Sequence, residues 1–275
     1  MTTLSPTGPT GVTAPAPTTG LPADLMNVVR SEWTKFRSVR STYWTLIASV
    51  VITVGLSAAI SAGFLHGASA EDKRTTDLVQ LTLTGVFLSQ LLIGVLGVLV
   101  ITSEYSTGMI RTTLTAVPRR WLVLLAKVIV FAAVLLVAGT AMAFAAFWVG
   151  QAILSQDLSV SLSQPGGYRA VIGAGLYLTG VGLLGLGIGS IIRHTAGAIS
   201  ALVGLLLVLM ILVGLLPGSL SDHIWKYLPS NAGSAIMQTQ PDSSMMGPWT
   251  GFALFCVYAA AALVIGAVLI GRRDA

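Results

Sequence analysis

Charge is scarce in this sequence. Of 275 residues only 15 are Lys or Arg and 10 are Asp or Glu, and the combined 9% is about a third of what a soluble domain carries. A chain so poor in charge belongs in a bilayer. Cysteine is limited to Cys256, inside an apolar run, so no intrachain disulfide can form and the residue is a small packing group. The three histidines, His66, His194 and His223, are scattered without any ligand spacing, so no metal site is expected even though His223 adjoins Asp222. None of the four lysines follows a glycine, which excludes a G-x-x-x-x-G-K-[ST] loop and ATP hydrolysis by that route. No ionisable side chain falls near the middle of an apolar run, which weighs against a carrier driven by protons or ions. No Ser/His/Asp or Cys/His grouping presents itself for catalysis, so the chain is not expected to be an enzyme.

What the chain has in abundance is apolar length. Hydrophobic residues make up 54%, and the mean hydropathy is +0.85. A spanning helix needs roughly 20 predominantly apolar residues. Six stretches qualify, at about 43–65, 79–102, 121–149, 170–192, 196–216 and 249–270. Short alternating segments, the mark of strand-type spans, do not occur. The expected architecture is an all-α membrane protein with six transmembrane helices and an N-terminal interfacial amphipathic helix. Residues 1–22 form a Thr- and Pro-rich stretch unable to bury enough surface to order itself. Residues 23–42 form the interfacial helix, and 43–275 form the transmembrane domain. The start lacks the basic and apolar pattern of a secretory signal.

Orientation follows from the basic residues. With the N-terminus cytoplasmic, the inner side holds eleven of them: Arg30, Lys35, Arg37, Arg40, Arg111, Arg119, Arg120, Lys127, Arg193, Arg272 and Arg273. The outer side holds four, Lys73, Arg74, Arg169 and Lys226. That asymmetry places both termini in the cytoplasm of a multi-pass protein of the cytoplasmic (inner) membrane. The sequence pI of about 9.7 then reflects topology and gives no reason to invoke nucleic acid.

In the interfacial segment Leu25, Val29, Trp33, Phe36, Val39 and Tyr43 recur every three or four residues, with Arg30, Lys35, Arg37 and Arg40 on other faces. This is the pattern of a helix lying along lipid headgroups. Ser49, Thr53, Ser57 and Ser61 form one small polar stripe on the first span, suited to packing against another helix. Gln90, beside Ser89, is the most polar point within any span, a candidate pathway residue or an interhelical hydrogen-bonding group. Lys127 lies about two turns inside the third span and is expected to snorkel to the inner surface. Gly185 and Gly189 form a G-x-x-x-G pair that favours close helix approach. The segment 217–248 is too apolar for a free loop and too short to span, and reads as interfacial or re-entrant helices.

The most patterned polar stretch runs over 103–120. On one continuous helix Glu104, Gly108, Arg111 and Thr115 would share a stripe, giving a short peg for a soluble partner to grip. Pro118 disfavours helical geometry at Val117, and Arg119, Arg120 and Trp121 mark re-entry into lipid.

The run Ser103-Glu104-Tyr105-Ser106-Thr107-Gly108-Met109-Ile110-Arg111-Thr112-Thr113-Leu114 resembles the E-x-x-x-G-[TM]-[IL]-R-x-T-L signature of ABC-2 type transporter permeases, the membrane subunits of bacterial ABC exporters. Glu32, Trp33, Lys35 and Arg37 resemble the opening of such chains, where an interfacial helix lies beside the ATPase. The resemblance implies that the loop is the coupling region docked on a separate ATPase, with Arg193 and His194 making a smaller second contact. It implies a second permease subunit, identical or homologous, and an export pathway faced by the second and fifth spans. ATP and Mg belong to the partner ABC ATPase subunits, and no cofactor is expected on this chain. Membrane lipid is the other expected partner. The competing reading is a non-transporting membrane sensor or immunity component that uses the same loop to recruit a cytoplasmic partner.

Overall fold

The computed structural model describes residues 21–109, 120–154, 158–240 and 245–272. Every regular element among them is helical. Six helices are long and apolar enough to cross a membrane: Arg40–Gly67, Gly85–Ser106, Trp121–Ile153, Gly167–Ile192, Thr195–Gly214 and Pro248–Arg272. They are called the first to sixth spans below. A further helix, Leu21–Ser38, precedes them. It is set off from the first span by Val39, whose extended backbone (φ −89°, ψ 106°) turns the chain between the two. Several spans run beyond the apolar stretches read from sequence, because helical hydrogen bonding continues where side chains turn polar. The first starts at Arg40 and the sixth ends at Arg272.

The fourth span is the axis of the bundle and packs on the second, third and sixth. Lipid tails are as apolar as leucine, so helices associate in a bilayer through close contact and not through burial from water. Glycine makes that contact possible here. A Cβ on Gly97 of the second span would lie 2.0 Å from the carbonyl oxygen of Gly182, and one on Gly185 would lie 2.2 Å from that of Gly94. The two backbones touch through these positions, and Gly185 is half of the predicted G-x-x-x-G pair. Around the seam Phe131, Leu135, Tyr177, Leu178, Val181 and Leu186 are fully enclosed. Tyr177 and Phe255 pack with ring centroids 5.3 Å apart, joining the fourth span to the sixth.

The first span is attached along one edge only. Ser49, Thr53, Ser57 and Ser61 are all buried, while Trp44, Ile47 and Val51 on other faces are exposed. Thr53 Oγ1 and Ser89 Oγ lie 2.5 Å apart, and Ser89 also donates to the carbonyl of Ser49 at 3.2 Å. The polar stripe is therefore a packing surface, against the second span at Ser49 and Thr53 and against Gly150 of the third at Ser61. The fifth span is similarly peripheral, with Ile211, Leu212 and Leu215 exposed. It contains a π turn over Gly204–Val208.

At the end of the bundle away from the N-terminal helix, the connection between the fifth and sixth spans folds inward. Helices Gly218–Trp225 and Pro229–Ser234 are followed by a 3₁₀ turn at Ala235–Met237. Residues Leu228 to Met237 are buried except Ser234, so this segment is a plug and not a surface loop. Ser230 Oγ donates to the Leu206 carbonyl inside the π turn at 2.8 Å, and Asn231 Nδ2 donates to the Trp225 carbonyl at 2.9 Å. Asp77 caps the helix Leu78–Thr82 with one carboxylate oxygen and accepts from Thr239 N and Oγ1 with the other, at 3.0 and 2.6 Å. Arg169 donates to the Gln238 carbonyl. The helices expected in 217–248 are present, and these bonds hold them as a cap.

Because Gly97 has no room for a side chain, Gly97→Val should destabilise the protein by about 1–3 kcal/mol or more through forced separation of the second and fourth spans. Gly55→Ala, at a position with open space around it, should be neutral. Thermal unfolding of the two variants in the same detergent checks the contrast.

Candidate functional site

The N-terminal helix docks on the third span at the end of the bundle where the second span finishes. Two side chains seat it. The Phe36 ring packs against Phe131 of the third span, with centroids 6.1 Å apart. One turn before it, Glu32 points into the protein with 4% of its surface exposed. Trp33 and Arg37 of the same helix are exposed. A carboxylate placed so deeply must be paired, because an isolated charge in an apolar interior loses several kcal/mol of solvation.

Its partner is Lys127. The ammonium lies 2.5 Å from Glu32 Oε2 and 2.9 Å from Glu104 Oε1, and only 4% of Lys127 is exposed. Lys35 completes the group, 2.8 Å from Glu32 Oε1 and 3.3 Å from Glu104 Oε1. Two carboxylates and two ammonium groups thus form a closed ring with no net charge. It joins the N-terminal helix, the last turn of the second span and the first turns of the third. The expectation that Lys127 snorkels to the surface is corrected here: its side chain stays inside because two carboxylates are within bonding distance. The second oxygen of Glu104, Oε2, is enclosed and has no hydrogen-bond partner among the described residues.

Electrostatics in the ring follow from competition between burial and pairing. At Glu32 burial opposes ionisation, but the Lys127 and Lys35 ammonium groups outweigh it and hold the carboxyl below its usual range. At Lys35 burial likewise disfavours the charge, and Glu32 and Glu104 override it, raising the pKa above the ordinary lysine value. Stability from Glu32 is therefore present above the unfolded carboxyl pKa and lost as pH falls through the depressed folded one. Stability from Lys35 is present below the unfolded lysine value and lost as pH rises through the raised one.

Glu104 does not lie on an exposed docking face. The second span ends at Ser106, and Gly108 adopts φ +72°, a left-handed conformation that breaks the helix. Glu104 and Gly108 consequently do not belong to one continuous helical stripe, which corrects the peg geometry read from spacing. Arg111 and Thr115 lie outside the described residues.

The turn between the fourth and fifth spans is built on Arg193, the one non-glycine residue with positive φ (60°) among the described residues. Its guanidinium donates to the Leu269 carbonyl of the sixth span at 2.9 Å and sits 5.2 Å from the centre of the Tyr105 ring on the second. Arg193 therefore ties three spans together at their ends. His194 is exposed and caps the fifth span, its Nδ1 accepting from Gly197 N at 3.3 Å.

Gln90 is fully buried between the second and fourth spans, where its side-chain oxygen accepts from the Tyr177 hydroxyl. Its amide nitrogen has no partner among the described residues. Sequence reasoning passed over Lys127, Tyr105 and Tyr177 as site residues. The available signal was Lys127 itself, a lysine inside a long apolar run that called for a carboxylate partner.

A cavity of about 500 Å³ lies beside the ion-pair ring, between the N-terminal helix and the first three spans. Glu32, Lys35, Glu104 and Lys127 contribute to its lining, but most of its wall is apolar. No cluster of three or more His, Cys, Asp or Glu side chains able to hold a metal ion occurs among the described residues.

Six lipid-length helices around a glycine-seamed axis, with a helix clamped across one end by buried ion pairs, define a multi-pass membrane component. The family description "ABC-2 family transporter protein" matches residues 26–275, nearly the whole chain, and the protein belongs to that family of transport permeases. No individual curated protein matches it.

Removing Lys127 leaves two buried carboxylates to share one ammonium. Lys127→Met should therefore destabilise the fold by about 3–5 kcal/mol, measured by thermal unfolding of the purified chain. Wild-type stability should decline as pH falls from the normal carboxylate range down through the depressed Glu32 value, and Glu32→Gln should flatten that acid limb.

Proposed function

We propose that this chain is the membrane subunit of an ATP-driven exporter, with its basic end in the cytoplasm against separately encoded ATPase subunits. Two permease chains, identical or homologous, would enclose the pathway. ATP and Mg are bound by the ATPase partner. The observation that carries the reading is the ion-pair ring of Glu32, Lys35, Glu104 and Lys127.

The segment after the second span begins three residues beyond Glu104, at the end of a helix whose last turn is bonded to the third span and to the N-terminal helix. Ion pairs in a low-dielectric interior are stiff, since separating the charges exposes each to an unpaired state. A push delivered to residues 107–119 by closure of the ATPase dimer is thus shared by three helices at once. Glu104 acts as the transmitting group, while the gripping contacts fall to the loop, including Arg111. Arg193 and His194 supply the second contact, and the Arg193 link to Tyr105 and Leu269 carries motion to the sixth span. Gln90 lies on the second span beneath this linkage, which makes it the pathway residue to vary first.

The test is ATPase activity of the reconstituted complex. Glu104→Ala and Arg111→Ala should each lower permease-stimulated ATP hydrolysis roughly tenfold, equivalent to ~1.4 kcal/mol on the barrier, with membrane insertion intact. Full stimulated activity in both variants would overturn the coupling assignment. Cargo movement into sealed vesicles that persists without ATP would overturn the exporter reading.

A further inference from the structure

The cavity under the N-terminal helix has a composition suited to an amphiphile. Its apolar wall is formed by Phe36, Leu96, Leu99, Val100, Val130 and Phe131. Its volume of about 500 Å³ falls within the range of small-molecule pockets. Ser38, Val39 and Ser41, all exposed, also line it and form its rim at the junction between the N-terminal helix and the first span.

Charge at that rim is one-sided. The acids that line the cavity, Glu32 and Glu104, are bonded to Lys35 and Lys127 in the ring. The residues flanking the rim are Arg37 and Arg40, both exposed. The first span also starts here without a side-chain cap on its N-terminal N–H groups, adding partial positive charge at the same place. Depth is marked by exposed Trp33, Tyr43 and Trp44, aromatic residues of the kind that sit at the headgroup level of a bilayer. The rim therefore lies where lipid phosphates lie, and the apolar wall continues from it toward the hydrocarbon.

We propose that this cavity is a binding site for one anionic phospholipid of the adjacent leaflet. An acyl chain packs among Leu96, Leu99, Val100, Phe36 and Phe131, and the headgroup is held at the rim by Arg37 and Arg40. The lipid fills the space between the N-terminal helix and the second and third spans beside the ion-pair ring. The site is read on this chain alone and does not rest on coupling to an ATPase, so the two assignments succeed or fail separately.

Native mass spectrometry of the full-length chain, released from detergent after incubation with equal phosphatidylglycerol and phosphatidylcholine, tests it. At about 1 kcal/mol per basic residue near the surface, two arginines give a preference of roughly thirtyfold for the anionic lipid at one site per chain. Arg37→Gln with Arg40→Gln should keep a bound lipid and lose the preference. Leu99→Trp, which fills the cavity from its apolar wall and removes no member of the ion pairs, should lose the lipid of either type. Equal retention of both lipids by the wild type, or several lipids bound without preference, overturns the proposal. So does full retention in Leu99→Trp. If Leu99→Trp cannot be purified folded, the arginine variant decides alone because it changes only exposed groups, and an unchanged preference there overturns the site.

Discussion

The structure depends on a lysine that has nowhere else to go. Lys127 is almost wholly enclosed, so the fold must bring carboxylates to its ammonium, and it brings two. That requirement helps to fix the position of the N-terminal helix, which is also seated by Phe36 and by the Lys35–Glu104 pair, and the rotation of the second span at its last turn. An apolar set of the same volume would hold these helices together at least as well, since buried ion pairs rarely add net stability over good packing. What ion pairs add is intolerance of misalignment: a leucine contact survives a slip of an ångström, whereas a pair of this kind does not survive the loss of one partner. That property suits the coupling role proposed for this junction.

A second constraint sits at the centre of the bundle. With lipid competing for every apolar side chain, the fourth span is held by backbone approach at Gly97, Gly182, Gly185 and Gly94. The first and fifth spans, joined by hydroxyls and by the plug, keep broad faces toward the surroundings. The protein is thus firm along its axis and at its basic end, with looser attachment at two flanks.

Much of this was legible in sequence because the physics is local. Apolar length gave six spans, small-residue spacing identified the buried stripe of the first span and the glycine pair of the fourth, and mixed composition marked 217–248 as helical but not spanning. The ion-pair ring was not legible, because Lys127 finds Glu32 across 95 residues and neither residue's neighbours announce the pairing. Glu104 misled for a related reason. Its spacing to Gly108, Arg111 and Thr115 is helical, yet Gly108 can adopt a left-handed conformation that spacing cannot foresee. Gln90 was recognised as out of place in lipid, and its partner Tyr177 lies 87 residues away on another helix.

Only Arg193 and His194 stand between the fourth and fifth spans. Two residues of chain reach about 7 Å at full extension, so neither helix can slide past the other like a piston. Arg193 also pins that turn to the sixth span through the Leu269 carbonyl. Three helices consequently share one fixed foot, so that a displacement of any one of them at this end is a displacement of all three.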